Sequence, residues 1–313
     1  MPIYPESIQV ILLLMGSPKF EVKAVNDIHE IYVKGQPRKD WEQWVLLTSD
    51  RHWDNPKSDR LLQTEHLKLA KERGAIIIDN GDLMCLMQGK YDPRGSKSSI
   101  RPEHNVDHYL DKVIDDAADY FAPNFAFLVI GNHEASVSKR CETNISKRFA
   151  DQLKLKCPAS QIHVGGITGY IKLRFDINGE MATYLIDYHH GYGGGGPVTK
   201  GVIQTNRRAV YSDADIILSG HTHEAWQVPI QRRKVSEKGN ITHPIQWHLQ
   251  IPSYKRHYGG GKPNWENLKG FPPKPVGCLW LRFFYDRRKR KEEKENHKRV
   301  NFERQHDLVE FGA

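Results

Sequence analysis

Phe125-Ala126-Phe127-Leu128-Val129-Ile130 runs without a break into Gly131-Asn132-His133-Glu134. An apolar run of this length, closed by glycine and polar residues, reads as a buried strand. Four other segments repeat the pattern. Trp44-Val45-Leu46-Leu47-Thr48 leads to Asp50 and His52, and Ala75-Ile76-Ile77-Ile78 leads to Gly81-Asp82. Tyr184-Leu185-Ile186 leads to His189-His190-Gly191, and Asp215-Ile216-Ile217-Leu218 leads to Gly220-His221-Thr222-His223. In open α/β sheets, sites gather beyond the carboxyl ends of the strands. Asp, His and Asn arriving there five times is what a metal-dependent active site needs.

Between these strands lie helical patterns, from Asp59 to Arg73 and from Val106 to Tyr120. In the second, Val106, Tyr109, Leu110, Val113, Ile114 and Ala117 form an apolar stripe at helical spacing. Strand and helix alternate, which argues for a layered α/β fold. Ile171 to Phe175 alternates instead, and a turn at Asn178-Gly179 precedes the next strand. That is a hairpin signal, so antiparallel strands are expected in the second half. Residues 1–40 read as an N-terminal extension holding strands near Ile11 and at Glu30 to Lys34, and the catalytic body runs from Trp41 to Asp286. Cys278 to Tyr285 is one more strand. Residues 287–313 read as a basic, charged tail, with Asp286 to Arg299 expected as a solvated helix or disordered segment.

At 313 residues the chain is long enough for one large domain or two modest ones. Hydrophobic residues make up 38% and charged residues 27%, which excludes a disordered or membrane-embedded class. The net charge of +8 favours polyanionic partners. Cys85, Cys141, Cys157 and Cys278 are scattered without a CxxC pair, so neither a zinc ribbon nor a disulfide framework is expected. Reduced thiols in a reducing compartment are the simpler reading. The run from Val10 to Met15 is too short to cross a bilayer and follows Glu6 rather than a basic segment. No signal peptide or membrane contact is expected, and the location is read as cytoplasmic.

The motif order DxH, GD, GNHE, HG, GHxH, from Asp50 to His223, closely resembles that of the calcineurin-like metallophosphoesterase superfamily. Each element taken alone is more often a turn residue or a helix cap. The complete ordered set is specific. The resemblance implies an α/β fold built as a two-sheet β-sandwich flanked by helices. It also implies two divalent metal ions, manganese being the first choice and iron, zinc or nickel the alternatives. Asp50, His52 and His223 would hold one ion, Asp82 would bridge, and Asn132, His190 and His221 would hold the other. His190 is favoured over His189 because the family pattern puts the ligand immediately before the glycine. His133 would serve as general acid or stabilise charge on the phosphoryl group, with Glu134 orienting its ring. Asp54 reads either as support for a ligating histidine or as a turn residue.

The implied activity is hydrolysis of a phosphate ester by in-line attack of metal-bound hydroxide. A phosphodiesterase or nuclease acting on nucleic acid or nucleotides is favoured, with DNA or RNA as the polyanionic partner. The alternatives are a phosphomonoesterase acting on nucleotides or phosphoproteins, and a nucleic-acid-binding module with incidental activity. A fold that has lost its chemistry is disfavoured, since no motif ligand is missing. Gly193 to Gly196, followed by Pro197, can present backbone amides to a phosphate or form a plain flexible loop. The late segment with Tyr254, Lys255, Arg256, His257, Lys262, Trp265, Lys269 and Phe271 interleaves cations with aromatics, as single-stranded nucleic-acid sites do. A plain basic loop with aromatic anchors is the favoured reading. His257 stands out there. Arg287 to Lys291 is a second basic run, weakened as a phosphate contact by Glu292, Glu293 and Glu295.

Overall fold

Val45 and Leu47 enter one apolar core while Leu46, between them, enters another. That alternation follows from the two-residue period of a strand, and it sorts the whole molecule into layers. The computed structural model describes residues 20–35, 40–89, 92–96, 99–121, 125–194, 196, 198–258, 270–285 and 300–309. A six-stranded sheet runs in the order β15 (Val300–Val309), β14 (Val276–Tyr285), β3 (Glu42–Thr48), β4 (Ile76–Asp79), β5 (Phe125–Leu128) and β6 (His163–Val164). Strands β3 to β6 are mutually parallel, and β14 is antiparallel to both of its neighbours.

The second sheet has seven strands: β1 (Phe20–Val25), β2 (Ile28–Gly35), β7 (Thr168–Ile177), β8 (Glu180–His189), β9 (Ile216–Ser219), β13 (Ile245–Gln250) and β10 (Trp226–Gln231). A small ribbon, β11 (Lys234–Val235) with β12 (Ile241–Thr242), stands apart from both. The inner faces of the two large sheets share one core. Val45, Leu47, Ile76, Ile78 and Phe127 come from one side, and Ile31, Val33, Leu173, Ile186 and Ile216 from the other. The outer face of the six-stranded sheet packs Leu46, Ile77, Phe125 and Trp280 against helices. These are α1 (Arg60–Glu72), α2 (Tyr109–Tyr120), α3 (Asn132–Cys141) and α4 (Ile145–Lys156). A fifth helix, α5 (Gln204–Tyr211), precedes β9. This is the two-sheet sandwich flanked by helices that the motif order implies.

Local sequence accounts for the element ends. Asp59 caps α1, its carboxylate accepting from Leu62 N at 3.1 Å. The β7–β8 hairpin turns at Asn178-Gly179, both with positive φ, as a two-residue turn of this type requires. The predicted helix from Val106 starts later, at Tyr109, because Pro102–His104 forms a separate turn of 3-10 helix just before it.

Two expectations about the ends of the chain need correction. The strand at Glu30 to Lys34 is not part of an appendage. It lies within β2, pairs in parallel with β7 and buries Ile31 and Val33 between the sheets. Nor is the region after residue 287 simply a charged tail, because β15 pairs with β14 from Val300↔Tyr285 to Val309↔Val276. Its inward positions carry few apolar groups. Val300 and Phe302 reach the core, Arg304 lies 3.4 Å from the Trp247 ring centroid, and His306 meets the Gln250 carbonyl at 3.1 Å. Hydropathy misses a strand that fills its inner face with a stacked guanidinium and a hydrogen-bonded imidazole. The expected strand near Ile11, the residues Lys262, Trp265 and Lys269, and the run Arg287 to Lys291 lie outside the described residues. Among the described residues, no helix is long and apolar enough to cross a membrane.

One buried ion pair fixes the floor under the strand ends. Arg51, just past β3, donates from Nε to Asp79 Oδ2 at 2.8 Å and from Nη1 to Gln63 at 3.0 Å, between the rings of Phe121 and Tyr254. Neither charged side chain has any solvent exposure. Burial pushes the Asp79 carboxyl up to about 6, although Arg51 and Thr48 oppose the rise. Replacing Asp79 by Ala strands a buried guanidinium, so we expect a loss of about 3–5 kcal/mol in urea unfolding. A loss below about 0.5 kcal/mol, the surface-mutation range, would refute that role.

Candidate metal centre

The carboxyl ends of β3, β4 and β5 lie side by side in one sheet, and those of β8 and β9 lie side by side in the other. The loops leaving them meet. Asp50 N donates to Gly81 O at 2.9 Å, His52 N to Asp82 O at 3.0 Å, and Gly220 N to His190 O at 2.7 Å. Asp50, His52, Asp82, His221 and His223 all have positive φ, between 46° and 67°. Non-glycine residues adopt that region at a cost of about 1–3 kcal/mol each, and such strain clusters at functional sites. A side chain at Gly131 has no room, since its Cβ would overlap Asp82 Oδ1.

Two donor sets result. The ligand atoms of Asp50, His52 and His223 lie within 4.8 Å of one another, as do those of Asp82, His190 and His221. In the first set, His223 Nε2 is 3.3 Å from His52 Nε2 and 3.2 Å from Asp50 Oδ1. Asp50 Oδ1 is buried and makes no hydrogen bond. In the second, His190 Nε2 is 3.3 Å from Asp82 Oδ2. The Asn132 side-chain amide meets His190 at 3.1 Å, Asp82 Oδ2 at 3.2 Å and His221 Nδ1 at 2.7 Å. A cation among these groups would satisfy the buried acceptor atoms of the two sets. Imidazole, carboxylate and amide oxygen form a suitable set for divalent transition metals, so these residues fit a metal pair.

Electrostatics prepares the carboxylates and His52 for that role, whereas Asp82 and Asp50 push His190 up to about 10 against the effect of its burial, so a cation must displace its proton. Burial alone would raise both carboxyls. His223 and His190 beside Asp50, and His133 and His190 beside Asp82, outweigh it and hold both well below the usual carboxylate range. Burial, reinforced by His133, keeps His52 well below the usual imidazole value and therefore neutral, the form that binds metal. The far nitrogens of two of these rings are occupied, while that of His52 is buried without a partner. His190 Nδ1 is 2.8 Å from the Asn80 carbonyl, and His223 Nδ1 is 2.7 Å from His257 Nε2. Such outer partners orient a ligating ring. His189 turns away instead, accepting from Gly191 N at 2.8 Å.

His133 sits beside both sets. Its Nδ1 lies 2.5 Å from the Cys85 carbonyl, so that nitrogen carries the proton, and its Nε2 is 3.6 Å from Asp82 Oδ2. Burial would lower this histidine, but Asp82 and Cys85, through its thiol and then its carbonyl, push it up to about 10. Glu134 does not orient the ring as the sequence suggests. It accepts from the backbone N–H groups of Gly131, Asp82 and Met84 at 3.0, 3.2 and 3.0 Å. Asp54 does not hold His52 either. It accepts from Cys85 N at 2.5 Å, Leu86 N at 3.0 Å and the Tyr109 hydroxyl, so it braces the loop whose carbonyl holds His133. Cys85 escaped the sequence reading because it acts through its backbone. Gly193 and Gly194 face open space, and Gly195 and Pro197 lie outside the described residues.

Residues 21–225 match the family model for calcineurin-like phosphoesterases. Among solved structures, the chain is similar to vacuolar protein sorting 29 from Cryptosporidium parvum, with 13% identity, a TM-score of 0.36, and coverage of 86% of this chain and 100% of that one. It is also similar to a metallophosphoesterase from Sphaerobacter thermophilus, with 14% identity, a TM-score of 0.32, and coverage of 86% and 89%. A search of curated proteins gives no significant match.

Equilibrium dialysis against manganese separates the two adjacent histidines. His189→Ala should bind as the wild type does. His257→Ala should weaken binding by about 10–100-fold, as loss of an outer partner does, and His190→Ala by more. Equal loss in His189→Ala and His190→Ala would contradict the assignment.

Proposed function

The chain belongs to the calcineurin-like phosphoesterase family and is a metal-dependent phosphoester hydrolase; from its site we propose that Asp50, His52 and His223 hold one divalent ion and Asn132, His190 and His221 the other. Asp82 bridges them. The observation carrying this reading is the convergence of buried acceptor atoms from two sheets around Asp82. When bound, such a pair polarises a phosphoryl group and activates water at neutral pH.

The chain's own residues supply the rest. Asp50 and Asp82 are ionised and nearly devoid of solvent, so they present fixed charge without reorganising. His133 has Nδ1 occupied by the Cys85 carbonyl, so a second proton on the ring sits at Nε2, beside Asp82. It can therefore donate to the oxygen of the departing group. Asp54, through Cys85, and Glu134, through Gly131 and Met84, keep that imidazole and Asp82 in register.

Within this activity we propose a phosphodiester substrate, nucleic acid or nucleotide. The net charge of +8 supports it by attracting polyanions. Manganese is the first-choice metal for the imidazole and carboxylate set.

Hydrolysis of an aryl phosphodiester and an aryl phosphomonoester should be compared with manganese-loaded protein and an Asp82→Asn control. Turnover of the diester is expected, and preference for the monoester would overturn the diester reading while leaving the hydrolase intact. His133→Ala should retain metal yet lose about 10²–10⁴-fold in turnover, the general-acid range. Undiminished turnover in that variant would remove His133 from the mechanism.

A further inference from the structure

On the outer face of the six-stranded sheet, away from the residues assigned above, a third set of ligand atoms converges. His66, Cys278 and Asp307 each offer one atom, and all three atoms lie within 4.8 Å of one another. They are far apart in sequence, and the fold brings them together in a definite way. Cys278 and Asp307 stand directly opposite each other in the β14–β15 ladder, so their side chains leave the same face. His66 reaches them from the buried side of α1. Gly277 sets the distance between the two strands there. Its φ is +155°, and a Cβ would overlap the Asp307 carbonyl, so only glycine permits this approach.

The hydrogen bonds leave the three atoms facing one another. The Tyr254 hydroxyl lies 2.8 Å from His66 Nδ1 and so engages that nitrogen. His66 Nε2 then faces Asp307 Oδ2 at 3.5 Å, outside the usual range for a nitrogen–oxygen hydrogen bond. Asp307 Oδ2 has one long contact besides, from Trp280 Nε1 at 3.4 Å. The Cys278 sulfur closes the third side, fully buried, and all four cysteines of the chain are free thiols. A tetrahedral zinc site holds its ligand atoms about 3.3–3.8 Å apart, and the His66–Asp307 separation already falls in that range. The Asp307 side chain is 40% exposed while His66 is 5% exposed, so an ion has a path inward past the carboxylate. Burial, the largest influence, brings His66 down to about 4 and keeps its imidazole neutral. Burial and the Asp307 carboxylate raise the Cys278 thiol against a hydrogen bond with the Tyr254 hydroxyl, so this sulfur keeps its proton until a cation replaces it.

We propose that His66 Nε2, Cys278 Sγ and the Asp307 carboxylate bind a single divalent ion, zinc fitting best, with water completing the coordination. Sulfur, nitrogen and oxygen ligands together suit zinc rather than magnesium or calcium. Binding exchanges the Cys278 S–H bond for a metal–sulfur bond and releases the proton to solvent. The ion ties three elements that no peptide joins directly: α1, β14 and the edge strand β15. The ion uses none of the residues proposed to hold the catalytic pair. It closes an otherwise open sheet edge against the helix above.

Cadmium tests this in the full-length protein, since it takes the same ligands and a cadmium–thiolate bond gives an ultraviolet charge-transfer band. Cys85 is the other thiol beside candidate ligands, so Cys85→Ser serves as the control. The band should saturate at an amplitude of one thiolate, persist in Cys85→Ser and Asp82→Asn, compete with zinc and vanish in Cys278→Ser. No band in the wild type, or an unchanged band in Cys278→Ser, overturns the site. If Cys278→Ser does not fold, Asp307→Asn and His66→Gln decide by zinc dialysis in the Asp82→Asn background. Each should lose at least about tenfold in affinity, and unchanged affinity in both overturns the site as well.

Discussion

Asp82 is buried to 2% exposure, with the Nε2 atoms of His190 and His133 at 3.3 and 3.6 Å from its outer oxygen. Carboxylate, imidazole and amide ligands cannot share so small a dry volume unless their charges are mutually compensated. That constraint dictates the loops. The group on β4's end must meet groups on the ends of β5, β8 and β9, which belong to two different sheets. Only a sandwich whose parallel strand ends open toward the same edge supplies all of them at once. Gly131 is the steric corollary, because any side chain there would displace the Asp82 carboxylate.

Around this carboxylate, buried acids act on backbone rather than on rings. Glu134 gathers three N–H groups from the loops after β4 and β5. Burial and the neighbouring Asp82 push it up to about 8, so its hold on those amides weakens where it takes a proton. Asp54 gathers Cys85, Leu86 and Tyr109 and thereby positions the carbonyl that fixes the His133 tautomer. A chain of influence thus runs from an acid with no view of the substrate to the imidazole expected to donate the proton. Arg51 and Asp79 play the corresponding part beneath β3 and β4.

The residues at the strand ends were legible from sequence because each follows a run of four to six apolar residues, and strand ends are where chain geometry concentrates reactive groups. His190 was separable from His189 only through the family pattern, since a strand end can present either. What escaped the sequence reading acts over distance or through the main chain. The Cys85 carbonyl leaves no side-chain signature. His257 showed itself only as a histidine in a basic loop, and its contact with His223 depends on the long connection after β13. Strand β15 was hidden by its composition, with Arg304 and His306 standing where valine or leucine would have announced a strand. His66 is separated from Cys278 and Asp307 by most of the chain, so no spacing rule joins the three.

The strain at the centre is carried by main-chain bonds. Five residues hold left-handed backbone there, and the main chains of Asp50, His52 and Asp82 are held by hydrogen bonds that do not involve the proposed ligand atoms. Asp50 shows this best. Its N–H is held by Gly81 O, and its carbonyl accepts from Tyr254 N at 3.2 Å and Ser253 Oγ at 2.8 Å. The sheets' register therefore imposes the conformation before any cation arrives, which is preorganisation in the physical sense. The remaining cost is the repulsion of converging acceptors, and a cation relieves that repulsion only in the native state. Binding of this kind stabilises the fold through linkage, by an amount that grows with the logarithm of free metal. Stability and catalytic competence are thereby coupled through the same few lone pairs.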